Sequence, residues 1–143
     1  MSCGTTPYFD PAKAKQEILK LEAAQRTYHL TKNARLFTDL FSDHFLSINK
    51  GFVDSPARSQ SFGKFDTYFK ESNIVKWDDR VEPVIRFSDD GSIAYVAVQK
   101  QVILKIPGAN GTFRNDTTDF AWLTIYKKTG NDWRIDCVVS TNK

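Results

Sequence analysis

A chain of 143 residues, 41% of them hydrophobic and 26% charged, has the length and composition of one globular domain. The net charge of +3 comes from 20 Lys and Arg scattered among 17 acidic residues, which argues against nucleic-acid binding because that function needs a clustered basic surface. No stretch approaches the roughly 20 apolar residues of a membrane span, so we expect no transmembrane segment.

The first nine residues show no periodicity and predict a flexible leader, followed by a single domain over residues 10–143. Cys3, followed by polar residues, resembles the mature end of a bacterial lipoprotein, although no apolar signal segment precedes it. Two locations therefore stay open: cytoplasmic as the sequence is written, or the bacterial cell envelope if a signal was removed. Cys137 lies in a predicted strand and is expected to be a small buried side chain.

The N-terminal part of the domain is predicted to be helical. Asp10 and Pro11 suit the N-cap and the first position of a helix. One buried stripe then follows at spacings of three and four residues: Ala14, Ile18, Leu21, Gln25 and Tyr28. A second helix is predicted over residues 33–43, with apolar Leu36, Phe37, Leu40 and Phe41. A third is predicted from Ser61, with Phe62, Phe65, Tyr68 and Phe69 in helical register.

From Asn73 onward the apolar period changes to two, which is typical of strands. Residues 74–87 predict a strand interrupted near Pro83, because a central ladder does not accept proline. Three longer strands are predicted over 93–106, 116–128 and 133–141, joined by short turns and a loop. Helices followed by strands joined by turns predict an α+β domain with a curved, mostly antiparallel sheet.

Four segments together resemble the nuclear transport factor 2-like superfamily, in its SnoaL-like or ketosteroid-isomerase-like branch. They are Gln25-Arg26-Thr27-Tyr28, residues 36–43, residues 89–96, and the strand, Gly turn and Trp of residues 126–135. The match covers about residues 13 to 141. The resemblance implies a cone in which about three helices and a concave sheet enclose a pocket, and homodimers formed through the other face of the sheet. It does not imply one activity, because this fold hosts enzymes and binding modules alike.

Steroid isomerase chemistry is not expected from the resemblance. Tyr28 falls near the helix tyrosine that contributes to the oxyanion hole in ketosteroid isomerases. Asn49 falls near the position of the base and Trp122 near that of the oxyanion acid. An asparagine cannot remove a proton, and a tryptophan has no acidic proton to donate. We therefore predict no turnover of a ketosteroid.

Other candidates for acid-base or metal chemistry are weaker. Asp39, Asp43 and His44 lie at the end of the second predicted helix, but His44 points away from the face shared by the two aspartates, so we expect no metal site. One carboxylate of the pair Asp78-Asp79 could point inward, or both could be solvated. Asp136 is a general acid-base candidate only if its side of the last strand faces the pocket, and we favour the opposite assignment.

Two sets of alternating residues could line a pocket, and the same rings could instead fill the core. On one strand the set is Ile93, Tyr95, Ala97, Gln99 and Gln101; on the next it is Phe120, Trp122, Thr124 and Tyr126. Gln25 from the first helix would join them. We predict that a small apolar molecule binds to Tyr28, Trp77, Tyr95, Gln99 and Trp122.

The sequence thus predicts a small-molecule-binding domain, a homodimer without a cofactor or an assured catalytic activity. The first alternative is an enzyme of the isomerase, lyase or hydrolase type acting on a small apolar substrate. A third interpretation is an assembly domain.

Overall fold

The computed structural model describes residues 8–143, in which three helices pack on one face of a seven-stranded sheet. The helices are α1 (Pro11–Leu30), α2 (Ala34–Thr38) and α3 (Arg58–Glu71). The strands are β1 (Phe41–Asn49), β2 (Phe52–Asp54), β3 (Ile74–Asp79), β4 (Val84–Phe87), β5 (Ile93–Pro107), β6 (Phe113–Thr129) and β7 (Asp132–Asn142). The predicted α+β class is confirmed, and no helix of residues 8–143 is both long enough and apolar enough to cross a bilayer.

The sheet has the strand order β2-β1-β7-β6-β5-β3, and β4 also pairs with β5. All neighbouring strands are antiparallel except β1 and β7, which run parallel. β3 and β4 pair with different parts of β5, and Pro83 lies in the link between them, where a missing N–H group breaks no ladder. The predicted interruption is therefore confirmed.

The second helix is much shorter than predicted, and our helix over 33–43 is wrong beyond Thr38. The Thr38 hydroxyl donates to the carbonyl of Ala34 at the end of α2, and the chain is extended from Phe41. Phe41 and Phe45 are both buried on one side of β1 and their rings stack at 4.2 Å. A spacing of four residues fits one face of a strand as well as one face of a helix, so apolar spacing alone could not separate the two.

The first helix begins as predicted, because the Asp10 side chain accepts a hydrogen bond from the backbone of Lys13 at 3.2 Å. Its buried stripe differs from the predicted one and consists of Ala14, Ile18, Glu22, Gln25 and His29. At 3.6 residues per turn this stripe is rotated by about 40° from the prediction. Two polar residues, Glu22 and His29, therefore face the sheet, and Tyr28 is only half-buried at the stripe's edge.

The start of the described chain packs on the domain. The Phe9 ring meets Phe87 edge-on at 5.4 Å and covers Gly91, where an added Cβ would come within 2.1 Å of the ring. Gly91 also has φ +71°, so both the space and the backbone favour glycine there. Phe9, the last residue of the predicted leader, thus contacts the fold; Met1 to Pro7, including Cys3, lie outside the described residues.

The two faces of the sheet are most clearly separated in β5. Its helix-facing side, which we call the interior face, carries Ala94, Val96, Val98, Lys100 and Val102, all buried. The opposite, outer face carries Ile93, Tyr95, Ala97, Gln99 and Gln101. Opposed residues of antiparallel strands share a face, so Trp122, which pairs with Val98, is interior. The predicted grouping of Tyr95 and Gln99 with Trp122 on one face is therefore wrong.

Candidate functional site

A group of polar and aromatic side chains meets inside the cone, between α1 and the interior face of the sheet. We call it the interior cluster, and its members are Glu22, Gln25 and His29 from α1, Trp77 and Asp79 from β3, Lys100 from β5, and Tyr126 from β6. All except Asp79 are buried. Buried polar groups cost stability unless they are paired, so such a concentration marks a candidate site.

Glu22, Gln25 and Tyr126 form a directed hydrogen-bond chain. The Gln25 amide donates to the Tyr126 hydroxyl at 2.6 Å, and that hydroxyl donates to Glu22 Oε1 at 2.6 Å. The amide also lies 3.4 Å from Glu22 Oε1. Because a tyrosine hydroxyl has one proton and accepts from Gln25, its proton is committed to Glu22. Oε1 of Glu22 is thereby fixed in place.

The two carboxylate oxygens of Glu22 differ in their hydrogen bonds. Oε1 accepts from Gln25 and Tyr126, whereas Oε2 makes no hydrogen bond to another group of residues 8–143. Burial raises the pKa of Glu22, whereas the Tyr126 hydrogen bond and the Lys100 ammonium lower it by smaller amounts. A carboxyl group with a raised pKa is a stronger base once it is ionised.

His29 is a neutral imidazole stacked on an indole. Its Nδ1 lies 2.7 Å from the carbonyl oxygen of Gln25 and must donate to it, so Nε2 carries the lone pair. The ring stacks on Trp77 with centroids 4.2 Å apart. Burial lowers the pKa of His29 to about 4, the Gln25 carbonyl opposes this, and the Lys100 charge adds to it. At neutral pH His29 can therefore accept a proton or hydrogen bond at Nε2.

Lys100 is a buried cation enclosed by aromatic rings. Only 2% of its side chain is exposed, and its Nζ lies 2.6 Å from Asp79 Oδ1. The same Nζ lies 3.8 Å from the ring centroid of Trp77 and 5.7 Å from that of Trp122. The carboxylate and the two ring faces compensate for the lost hydration of the ammonium. Lys100 thus provides a fixed positive charge inside the cone.

The structure brings together only part of the predicted ligand-binding set. Trp77 and Trp122 lie side by side in the interior, with ring centroids 5.4 Å apart. Tyr28 packs against the same core from the edge of α1. Tyr95 and Gln99 lie on the outer face, because β5 presents its even-numbered residues to the helices.

Two surface depressions lie outside the interior cluster. One, of about 520 Å³, is on the outer face and is lined by Gln99 and by apolar side chains of the sheet, with Trp122 at its border. The other, of about 480 Å³, lies between α1 and the turn before β7 and is lined in part by Glu17, Trp133 and Arg134. Trp133 Nε1 donates to Glu17 there, so its polar groups are already partly paired.

The remaining acidic candidates lie away from the interior cluster. Asp136 sits at a bulge in β7 and accepts a hydrogen bond from the Ser42 hydroxyl at 2.7 Å. Asp43 and His44 are on β1, not on a helix, and both are exposed. Asn49, at the predicted position of a base, is exposed at the end of β1.

The sequence carried signals for the cluster residues that we missed. Glu22 precedes Gln25 by three residues and His29 by seven, which places all three on one side of a helix. Lys100 alternates with Val96, Val98 and Val102, and a single lysine in such an apolar row indicates a buried charge with a partner nearby. Asp79, directly opposite Lys100 in the β3–β5 pair, is that partner.

Comparison with known structures identifies the fold. No protein-family model and no curated protein sequence matches the chain. A nuclear transport factor 2-like superfamily protein of Salmonella enterica superimposes with a TM-score of 0.71 at 18% identity, over 92% of each chain. A proposed dehydratase of the same family from Streptomyces avermitilis gives 0.76 at 9% identity, over 91% of this chain and 97% of that one.

A third neighbour is a proposed calcium/calmodulin-dependent protein kinase II association domain from Xanthomonas campestris. It gives a TM-score of 0.69 at 18% identity, over 100% of this chain and 98% of that one. The protein therefore has the nuclear transport factor 2-like fold, as the sequence predicted. Likeness at these identities establishes the fold and leaves the activity to be argued from the site.

Proposed function

We propose that this domain binds a small, mostly apolar molecule inside its cone, with one polar group of the molecule at Glu22. The observation that supports this most is the hydrogen-bond chain of Glu22, Gln25 and Tyr126, which is buried among aromatic side chains and leaves Glu22 Oε2 without a hydrogen bond to residues 8–143. Apolar walls with a few convergent polar groups are the usual composition of small-molecule sites.

The ligand would contact Trp77 and Trp122, with Tyr28 at the edge of the proposed site. These three belong to the predicted set and pack on the interior side. Tyr95 and Gln99 instead belong to the outer face, where a second copy of the chain would cover them. The interior is the better ligand site because its hydrogen-bonding groups are desolvated and fixed, whereas those of the outer face meet water.

An enzyme of the isomerase, lyase or hydrolase type is the second candidate. The observation that favours it is Glu22, a buried carboxyl group whose raised pKa suits a general base or acid. The Streptomyces avermitilis neighbour is named as a dehydratase, which is a lyase activity. That name supports the candidate by fold analogy alone.

We also expect a homodimer formed through the outer face. Val81, Val84, Ala97, Leu123 and Val139 give this face an apolar groove that a second copy would cover. Light scattering at micromolar concentration should give twice the 16.3 kDa mass of the chain. The monomer mass would contradict this proposal.

Fluorescence titration with N-phenyl-1-naphthylamine, a neutral apolar dye, tests the binding proposal. Trp122→Ala removes an aromatic wall and should raise the Kd by at least about tenfold, the effect of losing roughly 1.4 kcal/mol of contact. Tyr95→Ala, on the outer face, is the matched control and should leave the Kd within about twofold of the parent value. A parent protein that does not bind the dye, or a Kd changed only by Tyr95→Ala, would overturn the interior site.

A further inference from the structure

The surface depression between α1 and the turn before β7, which we call the α1–β7 depression, has an apolar lining. Leu21 of α1, Leu40 before β1 and Trp133 of β7 supply this lining, and the volume is about 480 Å³. Pockets for small molecules usually measure about 300–1,000 Å³. Trp133 is only 5% exposed, and its Nε1 donates to Glu17 Oε2 at 3.0 Å, so packing and a hydrogen bond hold the indole in place.

Arg134 lines the same depression and keeps most of its hydrogen-bond donors unused. A guanidinium group has about five N–H donors. Within residues 8–143, Arg134 donates to one acceptor, the carbonyl of Asp39, which fixes the side chain without neutralising its charge. The one carboxylate of those residues within 4.0 Å belongs to Asp132, whose oxygen lies 3.8 Å from Nη2, too far for a hydrogen bond. Arg134 is 37% exposed in its side chain and is therefore both held in place and accessible to an anion.

Three lysines near the α1–β7 depression add positive charge. Lys127 lies directly opposite Arg134 in the β6–β7 pair, where like charges repel each other. Lys128 Nζ lies 5.4 Å from the ring centroid of Trp133, and Lys20 is exposed on the α1 side of the depression. None of the three lysines forms an ion pair with another group of residues 8–143. A bound anion would reduce the repulsion between Lys127 and Arg134, so this arrangement favours a negatively charged ligand.

We propose that the α1–β7 depression binds a small organic acid with one carboxylate and an apolar body. Arg134 donates two parallel hydrogen bonds to the carboxylate, a geometry that the planar guanidinium provides. The apolar body packs against Leu21, Leu40 and Trp133. Glu17, on the α1 side, would repel a second negative group, so the site prefers a monoanion to a dianion. This site is separate from the interior site proposed above and does not depend on it.

Equilibrium dialysis of 2-naphthoate, a flat apolar monocarboxylate, tests the proposal. The parent protein should bind it at neutral pH with a Kd below about 1 mM. The matched neutral ligand 2-naphthamide has the same body without the charge and should bind at least about tenfold more weakly. The phosphate monoester 2-naphthyl phosphate, a dianion at about pH 8, should also bind more weakly than 2-naphthoate. A parent that does not bind 2-naphthoate, or that binds the amide equally well, would overturn the proposal.

Arg134→Gln should raise the Kd for 2-naphthoate by at least about tenfold, because it removes the charge and the paired donors. Arg80→Gln is the matched control, since Arg80 pairs with Asp119 on the outer face, and it should leave the Kd within about twofold of the parent value. Equal effects of the two variants would show that the acid is held by general positive charge rather than by Arg134, and would contradict the proposed site.

Two exposed residues allow a test that does not depend on the folding of Arg134→Gln. Asp132→Asn removes the acid that competes for Arg134 and should lower the Kd by about two- to fivefold, a gain that a damaged fold cannot produce. Lys20→Met removes a cation beside the site and should raise the Kd by about two- to fivefold. Circular dichroism shows whether each variant is folded. An unchanged Kd in both variants would overturn the proposal.

Competition with N-phenyl-1-naphthylamine separates this site from the interior one. We expect 2-naphthoate to bind without displacing the dye, and Trp122→Ala to leave the Kd for 2-naphthoate within about twofold. If 2-naphthoate displaces the dye and its Kd rises in Trp122→Ala but not in Arg134→Gln, the acid binds in the interior and the present proposal is overturned. A parent that binds 2-naphthoate through Arg134 but does not bind the dye would support this site and contradict the interior one.

Discussion

The two faces of the sheet use the same kinds of residues in different surroundings. On the interior face Lys100 pairs with Asp79, and its side chain is 2% exposed. On the outer face Arg80 pairs with Asp119, and their side chains are 53% and 33% exposed. Both pairs have short N–O distances and about equally exposed acids, 31% for Asp79 and 33% for Asp119, so they differ in the cation, which is buried only in the case of Lys100. Burial, more than residue type, makes the interior face a candidate site.

The largest expected contrast concerns aromatic residues. Trp77 is buried, stacked on His29 and beside Trp122, so Trp77→Ala should lower the free energy of unfolding by about 3–5 kcal/mol. Tyr95 is 37% exposed on the outer face, so Tyr95→Ala should lower the free energy of unfolding of the monomer by less than about 1 kcal/mol. Urea denaturation of both variants measures this. Equal costs would show that the faces do not differ in packing.

The ion pairs give the next contrast. Asp79→Asn leaves the buried Lys100 ammonium without its counter-charge and should destabilise the fold by about 3 kcal/mol. Asp119→Asn removes the partner of a solvated arginine and should cost at most about 1 kcal/mol. Denaturation in low and high salt sharpens the test, because salt should screen the pair of the exposed Arg80 more than the pair of the buried Lys100. A small loss for Asp79→Asn would mean that water reaches Lys100.

His29 should make stability depend on pH. Its pKa is 6.5 in the unfolded chain and about 4 in the fold, so between these values the unfolded state binds the extra proton. Its contribution is therefore full above pH 6.5 and is lost as the pH falls through 4, about 3 kcal/mol in all. The difference in unfolding free energy between parent and His29→Gln should follow this curve. The same change at exposed His44 is the control, and a flat difference curve for His29→Gln would contradict the assignment.

The smallest contrast concerns two glutamines. Gln25 is buried and donates to Tyr126, so Gln25→Ala should cost about 1–2 kcal/mol, the loss of a buried hydrogen bond. Gln99 is exposed on β5, and Gln99→Ala should change stability by less than about 0.5 kcal/mol. Thermal denaturation resolves both values. A neutral Gln25→Ala would indicate that Tyr126 and Glu22 do not depend on Gln25 for their geometry.

Sequence periodicity predicted the element types well but not which side of each element is buried. In β5 both sets of alternating residues are apolar enough to face a core, so alternation alone could not decide which set is interior. Lys100 belongs to the interior set because it pairs with Asp79 of another strand, and the spacing of residues within one strand does not reveal such a pairing. The rotation of α1 relative to the prediction also depends on a partner distant in sequence. Glu22 can face inward because the Tyr126 hydroxyl donates a hydrogen bond to it.

The start of β1, which we predicted as part of a helix, shows a second limit of prediction from local sequence. Leu36, Phe37, Leu40 and Phe41 fit a helical stripe, but Phe41 enters β1, which pairs with β7 at the far end of the chain. Pairing with a parallel strand about a hundred residues away cannot be recognised from the spacing of neighbouring residues. By contrast, the N-cap of α1 and the break at Pro83 depend on neighbours in sequence, and both were predicted.

The hydrogen bonds between α1 and the sheet also set the order in which the protein can fold. Gln25 and Glu22 reach Tyr126 across 101 and 104 residues, and Glu17 reaches Trp133 across 116. During synthesis α1 leaves the ribosome long before β6 and β7 exist, with its polar stripe unpaired and its apolar stripe uncovered. The first helix can meet β3 earlier, through Arg26 and His29, but nascent chains that end before Tyr126 cannot complete the interior cluster.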